Sequence, residues 1–592
     1  MREQAMSEIT LTIDGKQVKG KRGDTILQVC ERNDIAVPTL CHYNGLRDIG
    51  TCRMCVVELQ GGARTTTACT TPAEEGMVVD TQSPRLSAMR RATLELLFSE
   101  RNHYCMFCEA SGDCELQQLA YQHGMDHVRY PALYPSLPLD SSHPYLVVDH
   151  NRCILCRRCV RACGEVVANH NLGVRERGIE TMLAADGGEP LEESRCVSCG
   201  TCLQVCPTGA IFDRRSIYRG RKADCTVVSS TCVECSLGCQ VELTVRSGQV
   251  LRVDAAPPAE GGIGLLCQKG RFGSLNGDRE RITTPLVRQA GALRSASWDE
   301  ALGRIHSRLA AVGAAGGAVA GMASARATTE TLRALRGYFE RALDSPHVFA
   351  AGAEIASDDA PTATLADVEN ADLIVLIGNE VGAAHQVVEF TVGRVVEQQG
   401  VALVVVGSAD KRLLKRARAQ VAVSDAGRPL AALKADANAL QALAAARRPV
   451  FILGPEVPAM ELGPLVSGAE EGWPRALRLG AKANSRGAAA AGLRANGVDL
   501  MAARAAFVLA GDDGELDGAL PARGALEFLV VQASYHSSLT AMADVVLPAP
   551  LWTEKQGTLT NAEGRTVALR AAVPPPESVR DEVEVLAALA GR

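Results

Sequence analysis

The sequence has no long hydrophobic run. No segment of its 592 residues approaches the roughly 18 apolar residues that a membrane-spanning helix needs, and the start, MREQAMSEIT, contains no apolar signal core. Aromatic residues make up 4% of the chain, and the formal net charge is only -6. This charge balance gives no reason to expect a nucleic-acid partner. We therefore expect a soluble, cytoplasmic protein with no direct membrane span.

Cysteine is missing from the chain after residue 267, since all 21 cysteines lie between Cys30 and Cys267. A chain of this length should divide into about three to five domains, and only those in the front half can use thiolates. Disulfides are unusual in a large chain without a secretion signal. The grouped C-x2-C spacings therefore indicate metal binding.

The most specific pattern is the spacing C-x2-C-x2-C-x3-C, which occurs twice, at residues 153–163 and 196–206. In two-cluster ferredoxins the fourth cysteine of each run ligates the other cluster. The pattern thus predicts two 4Fe-4S clusters, one held by Cys153, Cys156, Cys159 and Cys206, the other by Cys196, Cys199, Cys202 and Cys163. Two zinc sites are the alternative, although zinc usually needs only paired C-x2-C or Cys/His ligands.

An N-terminal loop carries four cysteines at the spacing C-x10-C-x2-C-x13-C, namely Cys41, Cys52, Cys55 and Cys69. Four thiolates from a loop that contains glycines suit a 2Fe-2S cluster. Before this loop, Asp14-Gly15 predicts a hairpin, and a helix is expected behind a cap at Asp24. Cys30 falls on that helix, and we interpret it as a buried packing residue.

Residues 85–101 have helical spacing and lead into NHYCMFCEASGDCELQ, where Cys105, Cys108 and Cys114 are one thiolate short of a set of four. His103 is the nearest candidate for the fourth ligand of a 4Fe-4S cluster. Imidazole can replace thiolate in an iron-sulfur centre and raises its reduction potential. A structural Cys3His zinc site is the alternative.

The last cysteine group has the spacing C-x2-C-x3-C-x27-C and consists of Cys232, Cys235, Cys239 and Cys267. A hairpin predicted about Ser247-Gly248 returns the chain so that the distant cysteine can complete a 4Fe-4S site. Cys30 and Cys225 are left over. The sequence therefore predicts one 2Fe-2S and four 4Fe-4S clusters.

Four arginines crowd the first ferredoxin-like loop: Arg152, Arg157, Arg158 and Arg161. They either offset the negative charge of a thiolate-ligated cluster and so shift its potential, or form a solvated basic face.

Beyond about residue 290, Ala-rich helical segments alternate with the apolar runs DLIVLIG, ALVVVG, PVFILG, AFVLAG and EFLVVQ. This alternation predicts a parallel sheet covered on both faces. No G-x-G-x-x-G follows a strand, and there is no phosphate-binding P-loop. The sequence thus gives no independent evidence that this chain binds NAD, FMN or a nucleoside triphosphate.

In this order the motifs resemble the large iron-sulfur subunit of respiratory complex I, the G subunit of NADH-quinone oxidoreductase. The stretch from NHYC through GAIF is also similar to the diaphorase iron-sulfur subunit of NAD-linked hydrogenases. In the complex I subunit the usual spacing between this histidine and the first cysteine is H-x3-C. His103 and Cys105 have the spacing H-x1-C, which is closer to the hydrogenase type. The back half resembles a truncated molybdopterin oxidoreductase, particularly NAD-linked formate dehydrogenases, through LCQKGRFG, RITTPLVR, SWDEAL and EKQGTLTN.

The resemblance implies a multidomain α+β and α/β fold with five parts. These are a β-grasp 2Fe-2S ferredoxin-like domain at 1–80, a helical His/Cys3 segment at 81–140, a double 4Fe-4S ferredoxin-like domain at 141–220, a 4Fe-4S cap domain at 221–285, and a doubly wound molybdopterin-oxidoreductase-like domain at 286–592.

The resemblance also implies a function: an electron-transfer subunit of an NADH-linked oxidoreductase complex, with no catalytic residue of its own. The expected partners are a flavoprotein subunit that holds FMN and binds NAD(H), a small 2Fe-2S subunit, and a terminal hydrogenase or quinone-reducing module. Such a complex is cytoplasmic or peripheral on the cytoplasmic face of the inner membrane. A structural or assembly subunit with zinc in some of its sites is an alternative.

A molybdenum-dependent formate dehydrogenase is the other alternative. Relatives that act on formate ligate molybdenum through Cys or selenocysteine, which this chain lacks beyond Cys267, although Ser357, Asp358 and Asp359 lie in the corresponding region. The remaining length is expected to be too short for a domain that closes over the pterins, so no molybdopterin is expected. Lys269 resembles the lysine that links cluster and pterin in catalytic relatives and is a candidate cofactor-binding residue.

Metal analysis of the anaerobically purified chain separates these alternatives. We expect about 18 iron atoms per chain, the content of one 2Fe-2S and four 4Fe-4S clusters, with neither molybdenum nor tungsten. Near-stoichiometric molybdenum or tungsten would contradict the relay, and substantial zinc with weak paramagnetic signals on reduction would favour the structural alternative.

Overall fold

The computed structural model describes residues 8–62, 64–259, 261–275, 277–353, 358–379, 381–423, 428–493, 503–518, 523 and 526–591. The chain forms two compact units. The first contains Met1–Thr226 and Pro257–Gln268, and the second contains Val227–Ala256 and Lys269–Arg592. The segment 221–285 is thus divided between the two units.

The first unit is built from short strands and helices with extended loops between them. Among its described residues, the strands are β1 (Glu8–Ile13), β2 (Lys16–Lys21), β3 (Val56–Leu59), β4 (Arg64–Thr67), β5 (Val78–Asp80), β6 (Leu139–Asp140), β7 (Leu146–Asp149), β8 (Leu172–Arg175), β9 (Met182–Ala185) and β10 (Ile211–Asp213). The helices in the same part of the chain are α1 (Ile26–Arg32), α2 (Pro84–Glu100), α3 (Glu115–Gln122), α4 (Arg158–Arg161) and α5 (Thr201–Gln204).

A mixed sheet with the order β2-β1-β5-β3-β4 forms the N-terminal part. The predicted hairpin joins β1 and β2, and both turn residues, Asp14 and Gly15, have positive φ. Helix α1 packs against this hairpin, where Gly20 leaves room for Val29, because a Cβ on Gly20 would lie 2.6 Å from the valine side chain. Cys30 is fully buried on α1, as predicted.

The predicted cap of α1 was wrong by one residue. Thr25, not Asp24, caps the helix: its hydroxyl accepts a hydrogen bond from the Gln28 amide, and the Gln28 side chain accepts one from the Thr25 amide. Asp24 instead accepts hydrogen bonds from the Lys21 amide and from Arg32. The sequence alone did not decide between adjacent residues that are both good caps.

The remaining strands of the first unit pair locally, as a sheet of order β10-β7-β6 and a hairpin of β8 and β9. Helix α2 covers the predicted helical segment 85–101 closely. The segment 257–268 packs back on the N-terminal loop, where Gly262 lies beside Gly45, and Ile263 joins Leu46 and Val205 in a small core.

The second unit is richer in regular structure. Its described strands are β11 (Thr226–Thr231), β12 (Gln240–Arg246), β13 (Gln249–Ala255), β14 (Leu286–Gln289), β15 (Ala292–Ser295), β16 (Val319–Ser324), β17 (Val348–Ala351), β18 (Leu373–Gly378), β19 (Ala402–Gly407), β20 (Ala419–Val421), β21 (Pro449–Leu453), β22 (Arg475–Arg478), β23 (Ala505–Gly511), β24 (Phe528–Ala533), β25 (Val545–Pro548), β26 (Gly557–Thr560) and β27 (Thr566–Leu569). Its described helices are α6 (Trp298–Ala314), α7 (Thr329–Ala342), α8 (Leu365–Glu369), α9 (Val381–Ala384), α10 (Gln386–Gln399), α11 (Lys411–Leu414), α12 (Pro429–Ala435), α13 (Ala437–Ala445), α14 (Ser485–Ala490), α15 (Ser538–Met542) and α16 (Glu582–Ala590).

All five predicted apolar runs are strands, but they belong to two sheets rather than one. DLIVLIG, ALVVVG and PVFILG form β18, β19 and β21 in a parallel sheet of order β20-β19-β18-β21-β22. AFVLAG and EFLVVQ form β23 and β24 in a mixed sheet of order β15-β14-β25-β24-β23-β16-β17. Apolar runs identify buried strands, whereas sheet membership depends on long-range pairing that a local pattern does not encode.

Strand β23 shows that the mixed sheet is buried on both faces. Ala505, Phe507 and Leu509 point into one hydrophobic cluster, which also contains residues of α6, α7 and α16. Ala506 and Val508 point into a separate cluster on the opposite face. This alternation is the period of two that a strand imposes, so the predicted covering of both faces is correct for this sheet.

No helix in the described ranges is long and apolar enough to cross a membrane.

Two glycine substitutions test the packing of the second unit. A Cβ on Gly321 of β16 would lie 2.8 Å from the Phe339 ring, so we expect Gly321→Ala to lower the free energy of unfolding by about 1–3 kcal/mol. Gly313 lies exposed on α6 with no atom within 4 Å of such a Cβ, and Gly313→Ala should be neutral or stabilise by up to about 1 kcal/mol. Thermal or urea unfolding measures both, and equal effects would contradict this packing.

Candidate iron-sulfur sites

The fold pairs the four thiols of the N-terminal loop two by two. Cys55 Sγ and Cys69 Sγ lie 3.3 Å apart, and the Cys41 amide donates to Cys52 Sγ at 3.3 Å. A hydrogen bond from Cys52 lowers the pKa of Cys41 to about 5, and one from Cys69 lowers the pKa of Cys55 to about 7. Each pair thus already favours one thiolate, the form that binds metal. Four cysteine sulfurs arranged as two pairs suit a cluster with two irons.

Two buried arginines hold the backbone of this loop. The Arg90 guanidinium, on α2, donates to the carbonyl oxygens of Met54, Val56 and Thr81. Arg161 donates to the carbonyl oxygens of Arg47 and Cys41, and so connects the loop to the first ferredoxin-like run.

The three cysteines of the next segment share an enclosed cavity with His103. The cavity is lined by His103, Cys105, Cys108 and Cys114, among others. His103 Nε2 is buried without a hydrogen-bond partner, and burial lowers the pKa of His103 to about 4. The imidazole is therefore neutral at pH 7 and has an unused nitrogen, as a metal ligand requires. The donor set and this nitrogen fit a cluster with one histidine ligand.

Gly209 closes the same cavity. A Cβ at this position would lie 2.5 Å from Cys108 Sγ, so any larger residue would displace the thiol. Cys114 is the residue before α3, and burial raises the pKa of its thiol to about 11. The Glu115 amide at the start of α3 donates to the Pro207 carbonyl oxygen, which holds this segment against the second ferredoxin-like run.

The two ferredoxin-like runs have the same backbone geometry. In the first run Leu155 and Arg157 have positive φ, and in the second the equivalent residues Ser198 and Gly200 do. The amides of Leu155 and Ser198 donate to the sulfurs of the first cysteines, Cys153 and Cys196, each at 3.4 Å. Residues with positive φ between the cysteines bend each run so that backbone amides point at the sulfurs. In this way a short loop can wrap around a cluster.

The fold places the fourth cysteine of the second run with the first three of the first run. Burial raises the pKa of Cys153 to about 11, and the thiol of Cys206 adds to the rise. Burial also raises the pKa of Cys156 to about 12, with Cys206 and Cys153 as its nearby thiols. The pKa of Cys159 is raised by burial too; Cys156, Cys153 and Cys206 add to the rise, and Cys202 of the other set contributes least. This grouping is the one that the swapped assignment requires.

The reciprocal grouping holds for the second set. Burial raises the pKa of Cys196 to about 12, and Cys199 and Cys163 lie close enough to add to it. The thiols near Cys202 are Cys199, Cys196 and Cys163. All four cysteines line one enclosed cavity.

Two of the four arginines in the first loop are buried, contrary to a fully solvated basic face. Arg158 forms a two-bonded ion pair with Glu115, at 2.6 and 2.8 Å, and Arg161 is buried against the loop carbonyls described above. Arg152 pairs with Asp149 at 2.9 Å, whereas Arg157 is exposed. Of the two buried guanidinium groups, Arg158 is paired with a carboxylate, whereas Arg161 is bound to carbonyl oxygens.

Cys232, Cys235 and Cys239 lie on the turn between β11 and β12, and the rest of the second unit holds this turn firmly. Ser236 Oγ lies 2.9 Å from His385 Nε2 and accepts a hydrogen bond from the Gly480 amide. Glu234 pairs with Arg326 at 3.0 Å. No local sequence signal indicates these contacts, because His385 and Arg326 are far from the cysteines in the chain.

The fourth predicted cysteine set is divided between the two units. Cys267 lies on the segment 257–268 of the first unit, so its place in this set stays a prediction. Lys269 is exposed at the start of a short turn in the second unit. Cys225, which belongs to no predicted set, is half-buried beside β11.

The two candidate molybdenum ligands that the structure describes, Asp358 and Asp359, are engaged with other groups of the chain. Asp358 forms a buried ion pair with Arg478, with Oδ1 2.6 Å from Nη2, and accepts the Met460 amide. Asp359 accepts the amides of Leu462 and Gly463. Both carboxylates are thus used to hold neighbouring backbone and Arg478, and Ser357 lies outside the described residues.

Models of five protein families match successive segments of the chain. A 2Fe-2S iron-sulfur cluster binding domain matches residues 6–84, the NADH-ubiquinone oxidoreductase-G iron-sulfur binding region matches 90–129, and a 4Fe-4S dicluster domain matches 152–210. A molybdopterin oxidoreductase Fe4S4 domain matches 225–276. The molybdopterin oxidoreductase model matches 281–467 and 475–592, more than half of the chain, so the chain belongs to the molybdopterin oxidoreductase family.

Within this class, the particular resemblance is to the G subunit of complex I, as the motifs predicted. The chain is 27% identical to NADPH-Fe(3+) oxidoreductase subunit alpha of Geobacter sulfurreducens, over 99% of this chain and 81% of that protein. It is 36% identical to the NADH-quinone oxidoreductase G 2 subunit of Rhizobium meliloti, over 55% of this chain and 38% of that protein. A solved NAD+-reducing [NiFe]-hydrogenase in the H2-reduced state is 35% identical over 37% of this chain and 92% of that chain, with a TM-score of 0.34.

Substitution of His103 tests its role as a ligand. We expect His103→Ala to abolish or alter one 4Fe-4S EPR signal, and His103→Cys to retain a signal with a lower midpoint potential, because thiolate replaces imidazole. His123→Ala, at the end of α3 and outside the cavity, is the control and should change nothing. Unchanged spectra in both His103 variants would remove His103 from the ligand set.

Proposed function

We propose that this chain is the iron-sulfur electron-transfer subunit of an NADH-linked oxidoreductase complex. The observation that carries the proposal is the sorting of the thiols in the first unit into separate sets of the size that each cluster needs. When bound, iron-sulfur clusters take up and release one electron at a time. Four of the five proposed sets lie wholly in the first unit, and a series of one-electron sites suits stepwise electron transfer.

The proposed ligand sets are those of the sequence prediction. They are Cys41, Cys52, Cys55 and Cys69 for a 2Fe-2S cluster, and four sets for 4Fe-4S clusters: His103 with Cys105, Cys108 and Cys114; Cys153, Cys156 and Cys159 with Cys206; Cys196, Cys199 and Cys202 with Cys163; and Cys232, Cys235 and Cys239 with Cys267. Lys269 is retained as a candidate residue beside the last set. The five predicted domain boundaries go with these sets.

The residues of this chain position the ligands and set their electrostatic surroundings. Backbone amides donate to the sulfurs of Cys153 and Cys196, and Arg158, Arg161 and Arg152 place positive charge around the first ferredoxin-like run. Hydrogen bonds and burial of this kind control the reduction potential of an iron-sulfur centre. No residue of the chain is assigned acid-base or nucleophilic chemistry.

The proposed partners supply the chemistry at both ends. A flavoprotein subunit would exchange hydride with NAD(H) through FMN, together with a small 2Fe-2S subunit, and a hydrogenase or quinone-reducing module would terminate the path. The support is that relatives of this chain are named as subunits of such oxidoreductases. We propose a complex in the cytoplasm or on the cytoplasmic face of the inner membrane. The described candidate ligands do not favour the molybdenum-dependent alternative, since Asp358 and Asp359 are otherwise engaged.

Reduction by NADH tests the proposed function. In the purified complex, NADH should reduce the iron-sulfur EPR signals within the time of turnover. In the isolated chain, dithionite should reduce the same signals and NADH should not, because the nicotinamide and flavin sites belong to a partner. Direct reduction of the isolated chain by NADH, or no reduction of its signals in the complex, would contradict the proposal. A parallel titration with NADPH identifies the preferred nucleotide.

A further inference from the structure

The two ferredoxin-like runs share their cysteine spacing but differ in the side chains between the cysteines. The second run has a hydroxyl residue, Thr201, at the position where the first has Arg158. Thr201 is only 1% exposed, and its Oγ1 donates a hydrogen bond to Cys199 Sγ at 3.4 Å. Arg158 instead donates to the carboxylate of Glu115. The second run therefore has a side-chain donor on a proposed ligand where the first run has an ion pair.

A hydroxyl group has a single hydrogen to donate, so its acceptor decides which group it stabilises. Thr208, beside the first set, shows the contrast. Its Oγ1 lies 3.9 Å from Cys206 Sγ but donates to the Arg152 carbonyl oxygen at 2.9 Å. The hydrogen of Thr208 is thus used by the backbone, whereas the hydrogen of Thr201 points at a sulfur.

The loop that carries Cys199 is held in place by His143, which is buried. His143 Nδ1 accepts hydrogen bonds from the amides of Tyr145 and Leu146, each at 3.2 Å, so this nitrogen carries no hydrogen. The ring proton is therefore on Nε2, which donates to Ser198 Oγ at 3.0 Å. Ser198 directly precedes Cys199 and has a φ of 53°, so the bond anchors a residue in the left-handed region. The loop is thus fixed by a contact from outside the run.

We propose that Thr201 tunes the second ferredoxin-like site, and that its hydrogen bond to Cys199 raises the reduction potential of the 4Fe-4S cluster held there. The inference rests on the proposed function, because it requires this set to hold a cluster. As a cluster ligand the cysteine is a thiolate, and a hydrogen bond to an ionised acceptor is stronger than one to a neutral group.

The direction of the effect follows from where the charge goes. Reduction adds one electron, which increases the negative charge on the sulfurs that ligate the cluster. A fixed donor on one of these sulfurs therefore stabilises the reduced form more than the oxidised form. Because Thr201 is buried, the bond lies in a medium of low dielectric constant, where it is stronger than in water.

EPR-monitored redox titration of the holoprotein tests this inference. Thr201→Val removes the hydroxyl at nearly constant volume, and we expect the midpoint potential of one 4Fe-4S signal to fall. Thr201→Ser keeps a donor, so that potential should stay near the wild-type value. Thr93→Val, on α2, is the matched control, because its hydroxyl donates to the Met89 carbonyl oxygen and no potential should shift. A Cys196→Ser variant identifies the signal of the second site, because it changes a ligand of that set alone.

A second measurement separates the hydrogen bond from an effect of packing. Pulsed ENDOR of the second-site signal, in H2O and in D2O, counts the exchangeable protons coupled to the cluster. The Thr201→Val protein should have one such proton fewer than the wild type and the Thr201→Ser protein.

An unshifted potential in a fully loaded Thr201→Val protein would overturn the inference. So would an equal fall in Thr201→Val and Thr201→Ser, or loss of the second cluster from both, because the role of Thr201 would then be packing. Loss of that cluster from Thr201→Val but not from Thr201→Ser would support it, since the retained hydroxyl separates the variants. If the wild type itself shows no 4Fe-4S signals, the proposed function fails, whereas a loaded wild type with unshifted variants refutes the tuning role alone.

Discussion

The two ferredoxin-like runs of the first unit depend on one electrostatic constraint: most of their thiols are buried where thiolates are unfavourable. Burial raises the pKa of Cys153, Cys156 and Cys196 well above neutrality, so without a cation these sulfurs keep their protons. Metal binding replaces those protons and converts the cost of buried thiolates into folding energy. We therefore expect metal binding and folding of this unit to be coupled. Such coupling explains how a unit made largely of irregular loops, with little regular secondary structure, can be stable.

Buried cations complete this arrangement. Arg158 is paired with Glu115, Arg161 donates to loop carbonyls, and Arg101 donates to the Thr181 carbonyl oxygen. These side chains connect segments that are far apart in sequence, such as the N-terminal loop and the first ferredoxin-like run. In the proposed function the same charges would position the ligands and tune the reduction potentials of the clusters. The second unit is different in kind: its buried charges pair with each other, as Asp358 does with Arg478 and Asp513 with Lys482. At the candidate metal position it uses Asp358 and Asp359 to hold Arg478 and neighbouring backbone amides.

The sequence predicts cysteine sets because cluster chemistry fixes the ligand spacing over a few residues, and these sets stay a prediction. Hairpins at Asp14-Gly15 and Ser247-Gly248 and the apolar strands were predictable for the same reason, since the signal is local. The two separate sheets, the Thr25 cap and the burial of Arg101 were not. The two sheets depend on long-range strand pairing, and the cap depends on competition between adjacent residues that both cap well. The burial of Arg101 depends on which side of the end of α2 faces the interior. Strand β16 escaped prediction because VAGMAS is made of small residues, and its glycine is needed beneath Phe339.

The central claim is that the fold groups the thiols into iron-binding sets, with Cys206 exchanged between the two ferredoxin-like runs. Anomalous diffraction at the iron absorption edge, from crystals grown without oxygen, tests it most directly. The account predicts an iron peak within each proposed set, with Cys206 bound to the same peak as Cys153, Cys156 and Cys159, and His103 Nε2 bound to the peak beside Cys105. Peaks that appear only at the zinc edge, or an iron peak ligated by Cys163 together with Cys153, would contradict it.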